Sequence, residues 1–341
     1  MRPIKWDGGK LLLLDQRALP ETFDYFICES SSRVYEAIKK MVVRGAPAIG
    51  VAAAYGLVLA SKEAGSKPLA DRKQYLIKRA EFLKSARPTA INLSWAVNLL
   101  LDLIKTLDAE SLIPELEKAA LRLDSDDYES NVRMGEMGSL LFEEGVQVLT
   151  HCNAGALATT GYGTALGVIR SGCKKALISK VYATETRPWF QGSRLTVTEL
   201  REDDIEATLI TDSAAGFLMA RSKIDWVIVG ADRVAINGDV ANKIGTYALA
   251  ILARYHNTKF MVVAPTSTLD ISAKNGRDIP IEYREAEEIT KFNGEWLARP
   301  EASALNPVFD VTPASLVDAL VTEKGVILEP TEEKICSLLV K

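Results

Sequence analysis

The chain has 341 residues, 48% of them hydrophobic and 25% charged, with a formal net charge of -4. That length suggests about two domains, and the composition is that of an ordinary globular protein. The acidic balance argues against a nucleic-acid binder, which needs a basic excess to neutralise phosphates.

The four cysteines, Cys28, Cys152, Cys173 and Cys336, form no CxxC pair. That pattern fits reduced thiols in a cytoplasm rather than a disulfide frame or a zinc site, so no metal is expected. The opening Met-Arg-Pro-Ile-Lys-Trp-Asp carries no apolar run, and no signal peptide is expected. The longest apolar run, 46–60, is mostly small residues. It is shorter than the roughly 17–25 residues of a membrane span, so a buried helix is the expectation.

The first half, taken as 1–125, reads as mostly helical. Two short apolar stretches, 4–6 and 11–14, flank Asp7-Gly-Gly-Lys and predict a β-hairpin. Val34, Ile38, Met41 and Val42 recur at helical spacing over 32–43, with Ser31 or Ser32 as N-cap. In Arg44-Gly-Ala-Pro-Ala-Ile-Gly50, Pro47 suits the first turn of the next helix, and Gly65 its end. The N–H groups of Gly45 and Ala46, the helix dipole and the Arg44 guanidinium would together form an anion site. An arginine that merely closes a tight turn reads equally well. Further helices are expected at 71–85 and 94–104, separated by Arg87-Pro88-Thr89, and another from Pro114 to about Leu123. Arg87 taken alone is an ordinary surface arginine. The acidic cluster 124–127 is the expected boundary, followed by a helix over about 130–144.

From there to 341 the pattern alternates. Strands are expected at 146–150, 176–182, 207–211, 225–230 and 260–265, and helices at 157–171, 193–202, 213–221 and 241–255. The tail adds a strand at 279–283, a helix at 313–322 and a strand at 325–328. The fold class is therefore α/β: a mostly helical N-terminal domain with a small hairpin, then a Rossmann-like, doubly wound parallel sheet.

In such sheets ligands bind outside the carboxyl ends of the strands. Those ends carry His151-Cys152-Asn153, Thr184-Glu-Thr-Arg-Pro-Trp-Phe-Gln191, Thr211-Asp212-Ser213, Gly230-Ala-Asp-Arg-Val234 with Asn242-Lys243 beyond it, and Pro265-Thr-Ser-Thr268. A thiol, carboxylates, arginines, an amide and a lysine converge on one rim. Cys152 reads as a nucleophile or acid–base group, or as a buried structural thiol. Asp212 reads as an ordinary N-cap. Asp232 follows Trp226-Val-Ile-Val-Gly-Ala, and burial there would favour its protonated form, as a general acid needs; pairing with Arg233 is the plainer alternative. Lys243, placed at a helix start, would need an anion to offset the dipole, which points to a phosphorylated ligand. Gly161-Tyr-Gly-Thr-Ala-Leu-Gly167, with Glu185 further on, superficially matches a dinucleotide fingerprint. Nine residues, 152–160, separate it from a strand end near His151, where a fingerprint glycine follows its strand at once.

Arg44-Gly-Ala-Pro-Ala-Ile-Gly, Arg87-Pro-Thr-Ala-Ile-Asn-Leu, Thr150-His-Cys-Asn-Ala-Gly-Ala-Leu-Ala, Glu185-Thr-Arg-Pro and Gly230-Ala-Asp-Arg-Val together resemble the S-methyl-5-thioribose-1-phosphate isomerases, over nearly the whole chain. That resemblance implies an aldose–ketose isomerase of methionine salvage, a homodimer needing no metal or organic cofactor. It implies Cys152 and Asp232 as the catalytic pair. Arg44, Gly45, Ala46, Arg87, Gln191, Asn242 and Lys243 would hold the phosphate and the sugar hydroxyls. Two alternatives stay open. One is a sister isomerase of 5-deoxyribose 1-phosphate or ribose 1,5-bisphosphate. The other is a non-catalytic regulatory subunit of the eIF2B type. Ser94, Trp95 and Trp189 are candidate lining residues for the 5-substituent, though each reads more simply as core.

Overall fold

The computed structural model describes residues 1–292 and 294–340. The chain divides into two compact units, one of residues 1–133 with 155–163, the other of residues 134–154 with 164–341.

The first unit opens with an antiparallel sheet of β1 (Ile4–Asp7), β2 (Lys10–Leu14) and β3 (Tyr25–Cys28). The hairpin is as expected; β3 is an addition to it. Helices α1 (Ser31–Lys39), α2 (Ala46–Ala64), α3 (Leu69–Lys84) and α4 (Ile91–Thr106) follow. The α1 cap is Ser30, one residue earlier than the periodicity suggested, and its side chain accepts from the Arg33 N–H. Helix α2 is buried on nearly every side, which its run of alanines allows and which marks a central helix. Its partners supply Ile38, Leu76, Leu83, Leu93, Val97 and Leu100 to one core. Among the described residues no helix is long and apolar enough to cross a membrane.

Helix α5 (Leu112–Ser139) runs unbroken through the acidic cluster 124–127, where the sequence suggested a boundary. Burial explains this: Asp124 accepts the Tyr55 hydroxyl at 2.9 Å, and Asp127 accepts the N–H and hydroxyl of Thr160. Acidic residues that look like a linker are here bonded within the unit.

In the second unit, β4 (Val146–Thr150), α6 (Ala165–Lys174), β5 (Ile178–Thr184), α7 (Val197–Glu202), β6 (Ala207–Ile210), α8 (Ala215–Arg221) and β7 (Trp226–Val229) alternate as expected. After β8 (Arg233–Ala235), β9 (Val240–Lys243) and α9 (Thr246–Tyr255) comes β10 (Lys259–Val263). The large sheet has the order β16-β15-β10-β7-β4-β5-β6, where β15 is Ala319–Thr322 and the antiparallel edge β16 is Gly325–Leu328. Counting its six parallel strands in chain order gives 3-2-1-4-5-6, the doubly wound dinucleotide-fold order. Alternate residues serve opposite faces: Leu149, Val227, Val229, Phe260 and Val262 enter one core, Val148, Ile228, Met261 and Val263 the other. Both faces are covered, so the strands read as continuous apolar runs.

Four expectations are corrected. The helix expected over 157–171 begins only at Ala165, after a short 3-10 turn at 156–158. Residues 240–243 form a strand, and the helix expected from 241 begins only at Thr246, after Gly245 with φ 102°. Residues 319–322 form the last parallel strand rather than a helix, because a short apolar run has no period to distinguish the two. Residues 279–283 make only an isolated bridge, Tyr283 to Pro307. A second small sheet, β11 (Leu269–Asp270), β8, β9 and β14 (Phe309–Thr312), lies between these elements in the chain. A turn of helix α10 (Glu287–Thr290), the hairpin β12 (Lys291–Phe292) and β13 (Glu295–Trp296), and the terminal α11 (Glu332–Val340) complete the unit.

Candidate active site

Strands β4 and β7 are neighbours, with Val148 opposite Trp226 and Thr150 opposite Ile228. Two residues past that register stand Cys152 and Gly230, and Asp232 follows two later. A Cβ added to Gly230 would lie 2.7 Å from the Ala154 Cβ, so the cysteine loop and the aspartate loop touch. Strand order reverses between β4 and β7, and that is where such sheets bind ligands.

Further links tie the other polar residues of this unit to the same rim. The Asp232 N–H donates to Ala241 O at 3.0 Å, placing Asp232 beside Asn242 on β9. Asn242 donates to the Thr246 hydroxyl at 3.0 Å. Lys243 is buried in β9 with its ammonium 4.6 Å from the Phe309 ring centroid. It stands in a strand, so the helix-dipole argument for it lapses. His151 Nε2 lies 2.8 Å from Ile244 O, joining the end of β4 to the end of β9. Arg233 reaches Asp270 at 3.1 Å.

The loop after β5 is a built platform. Asp212, which the sequence suggested was an N-cap, instead accepts the N–H groups of Thr186 and Arg187 at 2.8 and 2.7 Å. Arg187, followed by a cis peptide bond to Pro188, donates to the carbonyl of Ile289 at 3.1 Å. Trp189 donates to Glu288 at 2.9 Å. Gln191 is buried, and its Oε1 has no hydrogen-bond partner among the described residues. An unmet buried acceptor costs about 1–3 kcal/mol, which a ligand hydroxyl would recover. The residue after it must be glycine: a Cβ at Gly192 would fall 1.6 Å from Thr184 O.

Cys152 and Thr186 both hold left-handed backbone, φ 62° and 63°. Such conformations cost about 1–3 kcal/mol each in non-glycine residues and concentrate at functional sites. The Cys152 N–H donates to Thr186 Oγ1 at 2.8 Å, and its carbonyl accepts the Thr196 hydroxyl at 2.5 Å. Asn153 donates to Glu199 at 2.8 Å, and Glu199 is fully buried against Arg170 at 3.0 Å. Glu199 and Arg170 were not singled out from the sequence; Thr184 and Thr186 entered only as part of a strand-end stretch, and Asp212 only as an N-cap. The available signal was positional: Asp212 and Thr186 stand at the same offset beyond neighbouring strands β6 and β5.

Asp310 on β14 accepts the N–H groups of Gly245 and Tyr247, capping α9 from another strand, and burial pushes its carboxyl up to about 6. The folded state therefore holds a proton that the unfolded chain, with its aspartate near 4, has released. Stability relative to Asp310→Asn is expected to fall as pH rises from about 4 to about 6 and to level off above about 7. Urea unfolding of both forms across that range checks the sign.

In the first unit, Arg44-Gly45-Ala46 opens the 19-residue helix α2, whose N-cap Gly45 has φ 96° and supplies no side-chain cap. A Cβ at Gly45 would lie 2.4 Å from the Ala158 Cα, so the residue is glycine for close approach as well. Arg87 occupies the break before α4, half-buried. The two helices meet near their starts, where Gly50 backs onto Asn92 O. Both arginines thus precede the adjoining N-termini of α2 and α4, a setting that suits an anion. Trp95, read as core from the sequence, is 43% exposed. Gly161-Tyr-Gly-Thr belongs partly to this unit rather than to a strand–helix turn. Among the described residues no group of three or more His, Cys, Asp or Glu is arranged to hold a metal ion.

Fold and site define an α/β chain with a thiol loop and a carboxylate loop at the switch point of a doubly wound sheet. The chain belongs to the Initiation factor 2 subunit family, whose model matches residues 42–329, and within it to the methylthioribose-1-phosphate isomerases. It is 52% identical to methylthioribose-1-phosphate isomerase of Nitrosococcus oceani over 99% of this chain and 97% of that protein. The crystal structure of 5-methylthioribose 1-phosphate isomerase from Pyrococcus horikoshii superimposes with TM-score 0.92, at 40% identity, covering 99% of this chain and 96% of that one. A structure described as translation initiation factor eIF-2B, subunit delta, from A. fulgidus gives TM-score 0.88 at 44% identity, covering 100% of both chains.

Proposed function

We infer that the protein converts S-methyl-5-thioribose 1-phosphate into S-methyl-5-thioribulose 1-phosphate, an aldose–ketose isomerisation of methionine salvage. The carrying observation is the meeting of the Cys152 and Asp232 loops at the β4/β7 switch point, in a chain half-identical to proteins bearing that name. A homodimer in the cytoplasm is the accompanying proposal.

The chemistry calls for these groups. Phosphate blocks the anomeric oxygen, so the ring cannot open as a free aldose does. The bond between C1 and the ring oxygen must break with a proton delivered to that oxygen, a task for a protonated carboxyl, here Asp232. Hydrogen then leaves C2 and arrives at C1 while the C2 hydroxyl becomes a ketone. Cys152 as thiolate removes the C2 proton to give an enediol. Gln191, Asn242 and Lys243 bind hydroxyls and charge, and Arg44, Gly45, Ala46 and Arg87 hold the phosphate. In deuterated water the enediol route places solvent label at product C1; absence of label favours a hydride shift. Arg44→Ala should raise KM for the sugar phosphate about tenfold or more, through loss of a charge-assisted contact, with kcat less affected.

The deciding experiment assays the purified protein against methylthioribose 1-phosphate, 5-deoxyribose 1-phosphate and ribose 1,5-bisphosphate. The first should have the highest kcat/KM; preference for either other sugar reassigns the substrate. Turnover of none would favour the non-catalytic reading, which the likeness to the A. fulgidus structure keeps in view.

A further inference from the structure

The backbone of Cys152 is held by a one-directional chain of hydrogen bonds. His151 Nε2 lies 2.8 Å from Ile244 O, and a carbonyl only accepts, so Nε2 carries the hydrogen. Burial disfavours the charged form of this histidine, leaving Nδ1 an acceptor. At 2.6 Å from Nδ1 is the Thr184 hydroxyl, which must donate to it. The Thr184 oxygen, 3.1 Å from Thr186 Oγ1, is then free to accept the Thr186 hydroxyl. Thr186 Oγ1 in turn accepts the Cys152 N–H at 2.8 Å. His151, Thr184 and Thr186 are all buried, and hydrogen bonds aligned this way polarise one another. Thr186 is fixed from its other side by Asp212, which takes its N–H.

We propose that Thr186 is a positioning residue for Cys152: held by Asp212 and by the Thr184–His151 chain, its oxygen fixes the left-handed backbone of Cys152 and so the direction in which the sulfur leaves the loop. The fit of the two residues supports this. Both are left-handed, an arrangement β-branched threonine rarely adopts, and the Cys152 N–H bond to Thr186 Oγ1 joins them directly. The inference rests on Cys152 acting in the isomerisation.

The test compares Thr186→Val, which keeps the shape without the oxygen, and Thr186→Ser, which keeps the oxygen. Readouts are kcat and KM with methylthioribose 1-phosphate, and iodoacetamide alkylation of the Cys152 peptide against pH, followed by mass spectrometry because Cys336 is exposed. Thr186→Val should lower kcat by about 10–100-fold with KM nearly unchanged, the scale of a misplaced reacting group, and should shift the alkylation profile. Thr186→Ser should restore most of both. A Thr186→Val enzyme with wild-type kcat and alkylation overturns the proposal. Should that variant not fold, Thr184→Val breaks the same chain one link away, and unchanged kcat there overturns it equally. Cys152→Ser separates the two ideas: if it stays active the isomerase mechanism fails, whereas an inactive Cys152→Ser beside a normal Thr186→Val sinks only the positioning role.

Discussion

Cys152→Ser and Asp232→Asn should each fold as the wild type does and lose turnover by about 10²-fold or more. The serine differs by one atom, and the backbone bonds that shape the loop, from Thr186 and Thr196, do not involve the side chain. What is lost is the thiol that the proposed base step requires; a serine hydroxyl is a far weaker acid and does not replace it. Asp232→Asn keeps shape and the N–H bond to Ala241 but has no carboxyl proton to give, which the proposed ring opening requires. Groups that serve one transition state are not additive, so the double variant should be little worse than the weaker single one. Thermal midpoints close to wild type with kcat near background are the expected pair of results. Near-normal turnover in either variant removes that residue from the mechanism.

The sheet was legible because covered parallel strands are apolar runs bounded by small residues, and five of them fell close to their expected places. Their carboxyl ends then pointed to Cys152 and Asp232. The second small sheet was not legible. Asn242-Lys243 looks like a polar helix start, and becomes a buried strand only because β8 and β14 flank it, with Asp310 opposite Asn242. Nor does one-dimensional pattern reveal that Asp212 serves the neighbouring loop rather than its own helix, since that bond depends on β5 and β6 being adjacent. The supports of the site come from pairings across the sheet; its chemistry-bearing residues come from single strand ends.

Arg170→Met tests one of those supports and should be the most destabilising substitution considered. Glu199 is fully buried on α7. One of its oxygens faces Arg170 at 3.0 Å and the other accepts from Asn153, the residue after Cys152. Arg170 also binds Asp203 at 2.6 Å. Removing one partner of a buried pair leaves the other charge uncompensated and costs about 3–5 kcal/mol. Adding Glu199→Gln to Arg170→Met should recover part of the loss at neutral pH, because no buried charge remains while an amide oxygen still accepts from Asn153. Urea midpoints of the wild type and the two variants at neutral pH check this. A small Arg170→Met deficit would mean the pair is not what anchors the residue beside the cysteine.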